Sequence, residues 1–226
     1  MMKKLRISFN APVVLTFVLL CFAVTLLGVI TADNSTYLLF MTYRDSLQNP
    51  LTYIRLFTHV LGHAGWDHFL NNAMYLLLLG PLLEEKHGHK AIVLIILITA
   101  FVTALVNNLL FPQVGLCGAS GVVFAFIIMA SFTGFKDGEI PLTFILVAIL
   151  FIGQQIYEGI ALSDNISNMA HIVGGLVGAV IGYQLNRRPA PKAGPKPIPE
   201  PPVAPAAPPV SKSIPTEDDS SDRLFR

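Results

Sequence analysis

Ala91-Ile92-Val93-Leu94-Ile95-Ile96-Leu97-Ile98 is apolar at every position. A membrane β-barrel strand is about 10 residues long and alternates apolar with polar side chains, because one face meets lipid and the other the lumen. This run has no such alternation and reads as part of a helix that is apolar all round. The surrounding chain of 226 residues is 53% hydrophobic and only 13% charged, with a positive mean hydropathy of +0.62. That is too apolar for a water-soluble domain of this length. The expected fold is therefore all-α, an integral membrane protein built as a helical bundle.

Each crossing needs roughly 20 mostly apolar residues, which gives six spans near 11–32, 68–83, 91–110, 119–134, 141–158 and 168–185. Residues 1–10 precede the membrane domain, which occupies 11–188. The basic start Met1-Met2-Lys3-Lys4-Leu5-Arg6 suits a signal peptide, but the apolar run behind it is about 20 residues long and no Ala-x-Ala site follows, so it is read as the first helix. After Arg188 the composition changes: eleven of the sixteen prolines lie between Pro189 and Pro215, ahead of the acidic run Glu217-Asp218-Asp219. Residues 189–226 cannot bury a core and are expected to be a disordered tail, partly in polyproline II form. The tail is read as a solubilising segment, with a proline-motif partner as the alternative.

Charge sets the orientation. Lys3, Lys4, Arg6, Lys86, Lys90, Lys136, Arg187 and Arg188 fall on one side of the six-span arrangement, and Arg44 and Arg55 on the other. By the positive-inside rule both termini are cytoplasmic and the loops 33–67, 111–118 and 159–167 face outward. The long loop 33–67 is expected to be partly helical, with Tyr53 and Trp66 at the interface. A net charge of +1 and the lack of a basic, aromatic-interleaved patch give no reason to expect nucleic acid. Cys21 and Cys117 show neither disulfide nor zinc-ribbon spacing and are read as packing residues, with Cys117 a weaker candidate nucleophile beside Ser120.

On this topology several polar groups gather at the outer ends of the spans, where they are costly and tend to be functional. Ser120 stands in Gly118-Ala119-Ser120-Gly121, and His171 in the last span is followed by Gly174, Gly178 and Gly182 at spacings of three, four and four. Imidazole and glycine stripe share one helical face, and such stripes let two backbones approach closely. Ser120, Gly121 and Ala125 give the fourth span a matching small surface, so that Ser120 and His171 can meet as nucleophile and base. His68 and Asn72, four apart, project from one face as two convergent donors of the kind a developing oxyanion requires. They can equally be a capping amide and a packed histidine, and glycine stripes are common glue between membrane helices.

From Arg55 through Gly178 the chain resembles the rhomboid family of intramembrane serine proteases. The likeness rests on His59, His63, His68 and Asn72, then Gly80 and Glu84, Gly118-x-Ser120-Gly121, and His171-x2-Gly174-x3-Gly178. It implies a six-helix rhomboid bundle in which Ser120 is the nucleophile, His171 the general base, and His68, Asn72 and the Ser120 N–H the oxyanion hole. Arg55 and Glu84 fall where the family braces the outer loop and the cytoplasmic end of the second span. Phe124 stands where many members carry a tyrosine against the histidine, and Pro81 where a second glycine is frequent. The resemblance further implies peptide-bond hydrolysis in transmembrane protein substrates within the lipid bilayer. It also implies a bacterial inner membrane location and no cofactor or metal. No carboxylate completes a triad, although Asp164 lies in the loop before His171. His59 and His63 are expected to line a path for water, and the outer loop with the fifth span to gate lateral access.

Three rivals remain. His59, His63, His68 and His171 offer imidazoles to a metal, but the His-Glu-x-x-His signature is absent. A non-catalytic relative that only binds membrane helices has no need of both Ser120 and His171. A transporter needs polar groups at mid-depth, and here they gather at one end.

Overall fold

Pro12, whose fixed φ suits the first helical position, opens α1, Pro12–Ile30, and no side chain of its N-cap Ala11 caps it. Val14, Phe17, Val18, Cys21 and Val24 recur every three or four residues on its buried face. The computed structural model describes residues 9–131, 142–161 and 165–186. The expectations attached to Lys3, Lys4, Arg6, Lys136, Asp164, Arg187, Arg188 and the tail 189–226 lie outside the described residues.

Two short helices follow within the expected outer loop, α2 at Asn34–Leu39 and α3 at Pro50–Thr58. Asn49 caps α3 by accepting the Leu51 N–H at 3.0 Å, and Pro50 occupies the first turn. A 3-10 turn, His59–Leu61, leads to α4, Trp66–His87, and a single residue, Gly88, separates α4 from α5, His89–Leu110. Gly88 has a φ of 82°, which a residue with a side chain rarely adopts, so the chain reverses there between two helices of 22 residues each. The remaining helices are α6, Ser120–Ser131, α7, Leu142–Ala161, and α8, Asn165–Asn186. The described residues of each expected span fall mostly on one of α1 and α4 to α8, and the outer loop is partly helical as expected.

α6 is the axis of the bundle, packed against α8, α4, α5 and α7. Its Val122, Val123, Ala125, Phe126 and Met129 are all buried. The opposite pattern appears on the outside, where Leu19, Leu78, Leu94, Ile149 and Leu176 are exposed. An apolar rind around an apolar core suits a hydrocarbon surrounding, in which helices satisfy their own backbone hydrogen bonds. By length and composition, three described helices can cross a membrane: Pro12–Ile30, His89–Leu110 and Asn168–Leu185; Ser120–Ser131 is apolar but shorter. His68, Asn71 and Asn72 make the start of α4 polar and keep that helix out of this set. The molecule is an all-α integral membrane protein.

Two braces set the ends of the bundle. At the end carrying Lys86 and Lys90, the buried Glu84 carboxylate accepts the N–H groups of Val13 and Val14, each at 2.9 Å, and the Nδ1–H of His89 at 2.6 Å. Glu84 thus supplies the cap that Ala11 cannot, and places a negative charge on the positive end of the α1 dipole. Burial alone would raise its pKa, but these hydrogen bonds and the His89 charge outweigh burial and hold it below the usual carboxylate range. At the other end Arg55, 2% exposed, donates from Nε to the Leu38 carbonyl at 2.8 Å, pairs with Asp45 at 3.0 Å and lies 4.5 Å above the Tyr43 ring. Thr42 and Leu116 exchange both backbone hydrogen bonds, at 2.9 and 2.8 Å, tying the outer loop to the segment that leads into α6.

Candidate active site

Ser120 begins α6, and the loop before it is held by three histidines. Gly118 has a φ of 129°, again open in practice only to glycine. It brings the loop so close to His68 that a Cβ there would lie 2.7 Å from Cε1 and 2.9 Å from Nε2 of the ring. The Gly118 N–H donates to the His59 carbonyl at 2.9 Å. The Ala119 N–H donates to His63 Nε2 at 3.4 Å, while His63 Nδ1 lies 3.1 Å from the Leu61 carbonyl. A carbonyl only accepts, so the His63 proton sits on Nδ1 and its Nε2 is the acceptor. The His63 and His68 rings meet edge to face, 5.1 Å apart.

This arrangement corrects one expectation. His59 and His63 are 1% and 2% exposed, so they stand behind the serine loop and not along an open path for water. Burial pushes both imidazoles down to about 4, with the neighbouring His68 charge adding to the effect on His63. Both are neutral near pH 7 and act as fixed hydrogen-bonding blocks. His59 Nδ1 lies 3.2 Å from the Arg55 carbonyl and Nε2 lies 3.3 Å from the Thr103 hydroxyl. The ring nitrogens of both residues are engaged by protein groups, which disfavours the metal rival. The thiol of Cys117 is pushed up to about 11, first by burial and then by the charge of Asp33, so it is protonated near pH 7 and a poor nucleophile.

His68 Nδ1 accepts the Ala64 N–H at 3.5 Å, which leaves the proton on Nε2, beside Gly118. One turn further along α4, Asn72 is 6% exposed and its Nδ2 is buried without a hydrogen-bond partner. An unsatisfied buried donor costs free energy and asks for an explanation.

His171 lies on α8, its ring 4.3 Å from that of Phe124 and tilted by 38°. The two helices touch through their backbones. A Cβ on Gly174 would overlap the carbonyl oxygen of Gly121 and come within 2.8 Å of its Cα; one on Gly178 would overlap the carbonyl oxygen of Ala125 and come within 2.7 Å of its Cα. The pairs 121 with 174 and 125 with 178 are in register, four residues apart on each helix. Ser120 adjoins the first contact, His171 lies one turn before it, and Phe124 lies one turn after Ser120. The structure therefore brings Ser120 and His171 to the same end of one tightly packed helix pair, with His68 and Asn72 on the neighbouring α4.

Some supporting residues escape the sequence reading. Thr42 pairs with Asn108, whose Nδ2 donates to the Thr42 hydroxyl at 3.0 Å, and Asn107 Nδ2 donates to the Val114 carbonyl at 3.0 Å. The only hint in the sequence is two asparagines at the end of an apolar run.

The family model described as Rhomboid domain matches residues 50–188 of this chain. Rhomboid-related protein 2 of Mus musculus is 30% identical over 150 residues, covering 57% of this chain and 49% of that protein. Rhomboid protease GlpG of Yersinia pestis (strain Pestoides F) is 25% identical over 170 residues, covering 72% of this chain and 59% of that protein. The same figures hold for the Rhomboid protease GlpG of Yersinia pseudotuberculosis serotype O:3 (strain YPIII). The chain thus spans between about half and three-fifths of the length of these relatives.

Proposed function

The chain belongs to the rhomboid family, and from that premise we propose that it is an intramembrane serine endopeptidase acting through a Ser120–His171 dyad. The observation that carries this reading is the α6–α8 contact, in which Gly174 sits on the backbone of Gly121 and the His171 ring packs on Phe124. A base held against a nucleophile by close packing needs no third group to orient it.

In this mechanism His171 takes the Ser120 proton as Oγ attacks a peptide carbonyl of the substrate. The carbon becomes tetrahedral and its oxygen anionic. The Nε2–H of His68, the Nδ2–H of Asn72 and the Ser120 N–H, at the first turn of α6, are the donors for that oxygen. Each such donor typically contributes about 3 kcal/mol to the transition state. The unpartnered Asn72 Nδ2 supports this assignment, since its missing partner is what the transition state would supply. His171 then returns the proton to the leaving amine, and water resolves the acyl-enzyme. A substrate helix must first unwind locally, because an intact helix hides its peptide bonds in hydrogen bonds, so transmembrane proteins with small, helix-destabilising residues near their outer ends are the expected substrates. A groove of about 520 Å³ among α4, α6 and α7, walled by Leu78, Leu79, Ile127 and Val147, lies about two to three turns beyond Ser120 along α6, beside the fifth span proposed to gate lateral access.

The six-span count, cytoplasmic termini and a bacterial inner membrane location complete the proposal. The test is cleavage of a single-span reporter, carrying small and helix-breaking residues near its outer end, by the wild type and Ser120→Ala in detergent with chelator. Cleavage by the wild type alone supports the dyad. Equal cleavage by the mutant removes Ser120 as nucleophile, loss on chelation restores the metal rival, and binding without cleavage by either protein favours a helix-binding relative.

A further inference from the structure

At the end of the bundle opposite Ser120, α1 and α5 leave a groove of about 410 Å³ between them. Val13, Phe17 and Leu20 form one wall, and Val93, Ile96 and Leu97 the other. The groove begins where both helices begin, so its mouth lies where the apolar runs start and its floor lies deeper along them. His89 precedes Val93 and Ile96 by four and seven residues, and Lys90 precedes Val93 and Leu97 by three and seven. These spacings place both side chains on the groove face of α5, one turn nearer the mouth. Lys90 is exposed, and the His89 side chain is 63% exposed, with Nδ1 on Glu84. The Val13 and Val14 N–H groups at the start of α1 are taken by Glu84, which also pairs with His89, so among the described residues Lys90 is the cation left for an anion at the mouth.

We propose that this groove holds one acyl chain of an anionic phospholipid, with the phosphate headgroup at Lys90 and His89 beside it. Apart from Thr16 the lining side chains are hydrocarbon, so the inserted part of the occupant must be largely hydrocarbon too. A helix with its side chains is about 10–12 Å across and too thick for a space of this size, whereas a single flexible chain is not. A cation at one end of an apolar slot, set at the start of the apolar runs, complements a molecule with an anion at one end and a hydrocarbon tail at the other. A second copy of this chain would have to bring its own slender apolar element into the slot.

The experiment uses the full-length protein in mild detergent and native mass spectrometry. Phosphatidylglycerol and phosphatidylcholine of identical chains are added at equal concentration. The wild type retains one phosphatidylglycerol with a preference of about fivefold over phosphatidylcholine, the factor one interfacial cation supplies. Lys90→Glu brings that preference to parity with unchanged thermal unfolding, and Leu97→Trp, which fills the groove, removes retention of both lipids. If Leu97→Trp fails to fold, Val93→Phe in the same wall is read in its place. Excess inorganic phosphate leaves the lipid bound, since the chain and not the headgroup alone is held. A preference that survives Lys90→Glu, retention that survives filling of the groove, displacement by phosphate, or a dimer that Leu97→Trp abolishes would each overturn the proposal.

Discussion

Gly174 rests on the peptide of Gly121 with no room for a side chain between them. The contact lies one residue beyond Ser120 and one turn beyond His171, so the helix spacing there limits how closely the two groups of the proposed dyad can approach. Gly174→Ala must force the helices apart, because the atoms in the way are backbone and cannot rotate aside. Gly121→Ala is milder: its Cβ meets the Thr103 Cγ2 at 3.2 Å and the Ala170 carbonyl at 3.5 Å. Thermal unfolding in detergent should show Gly174→Ala destabilised by about 1–3 kcal/mol or more, clearly beyond Gly121→Ala, with reporter cleavage lost. Equal midpoints for the two variants would contradict the packing account.

Phe124 lies 4.3 Å from His171. Phe124→Ala removes an aromatic contact of about 0.5–1.5 kcal/mol and lets the imidazole turn. The expected result is a fall in kcat of roughly tenfold with little change in KM, and Phe124→Tyr should keep wild-type turnover. An unchanged kcat in Phe124→Ala would show that other contacts hold the ring.

Glu84→Gln keeps the shape of the brace and loses its charge, and either carboxamide orientation sets its NH₂ against the N–H of Val13 or that of Val14. Hydrogen bonds to a charged acceptor contribute about 1.5–3 kcal/mol each, so the midpoint of unfolding should fall distinctly. The folded pKa of Glu84 is depressed. Its stabilising effect is therefore full above the unfolded value of about 4.3 and is lost as pH falls through the lower folded value. Glu84→Gln should accordingly be the less acid-sensitive protein, measured below pH 4.5.

Acid sensitivity at milder pH has another origin. His59 and His63 stay neutral in the fold down to about 4, while free imidazole titrates near 6.5. Between those values the unfolded chain binds protons that the folded chain refuses. Their contribution to stability is complete above about 6.5 and declines as pH drops toward 4. Midpoints measured from pH 7 to pH 5 should fall for the wild type and fall less for His59→Asn, and a flat wild-type profile would exclude the effect.

Arg55 holds Leu38, Asp45 and Tyr43 at once, from a position 2% exposed. Arg55→Lys loses the planar fork and cannot make all three contacts. It should unfold at a lower temperature than Asp45→Asn, which changes only the half-buried partner. The comparison is a pair of thermal scans, and the reverse order would place the brace elsewhere.

The apolar run 91–98, the overall composition and the glycine spacing after His171 are local properties of the chain. Helix formation and the face a side chain occupies depend on such local periodicity, so the all-α membrane class, the helices behind the six expected spans and the meeting face of the serine and histidine helices were legible without coordinates. The residue pattern from Arg55 to Gly178 carried the family likeness for the same reason. The roles of His59 and His63 were not legible. Nothing in a four-residue spacing says that one offers its carbonyl to Gly118 and the other its ring to Ala119, 56 residues away along the chain for the second. Glu84 is a similar case, for it caps a helix that begins some 70 residues earlier. Only tertiary structure decides contacts of that kind, because they depend on which backbone groups packing brings within hydrogen-bond reach, and sequence periodicity carries no record of that.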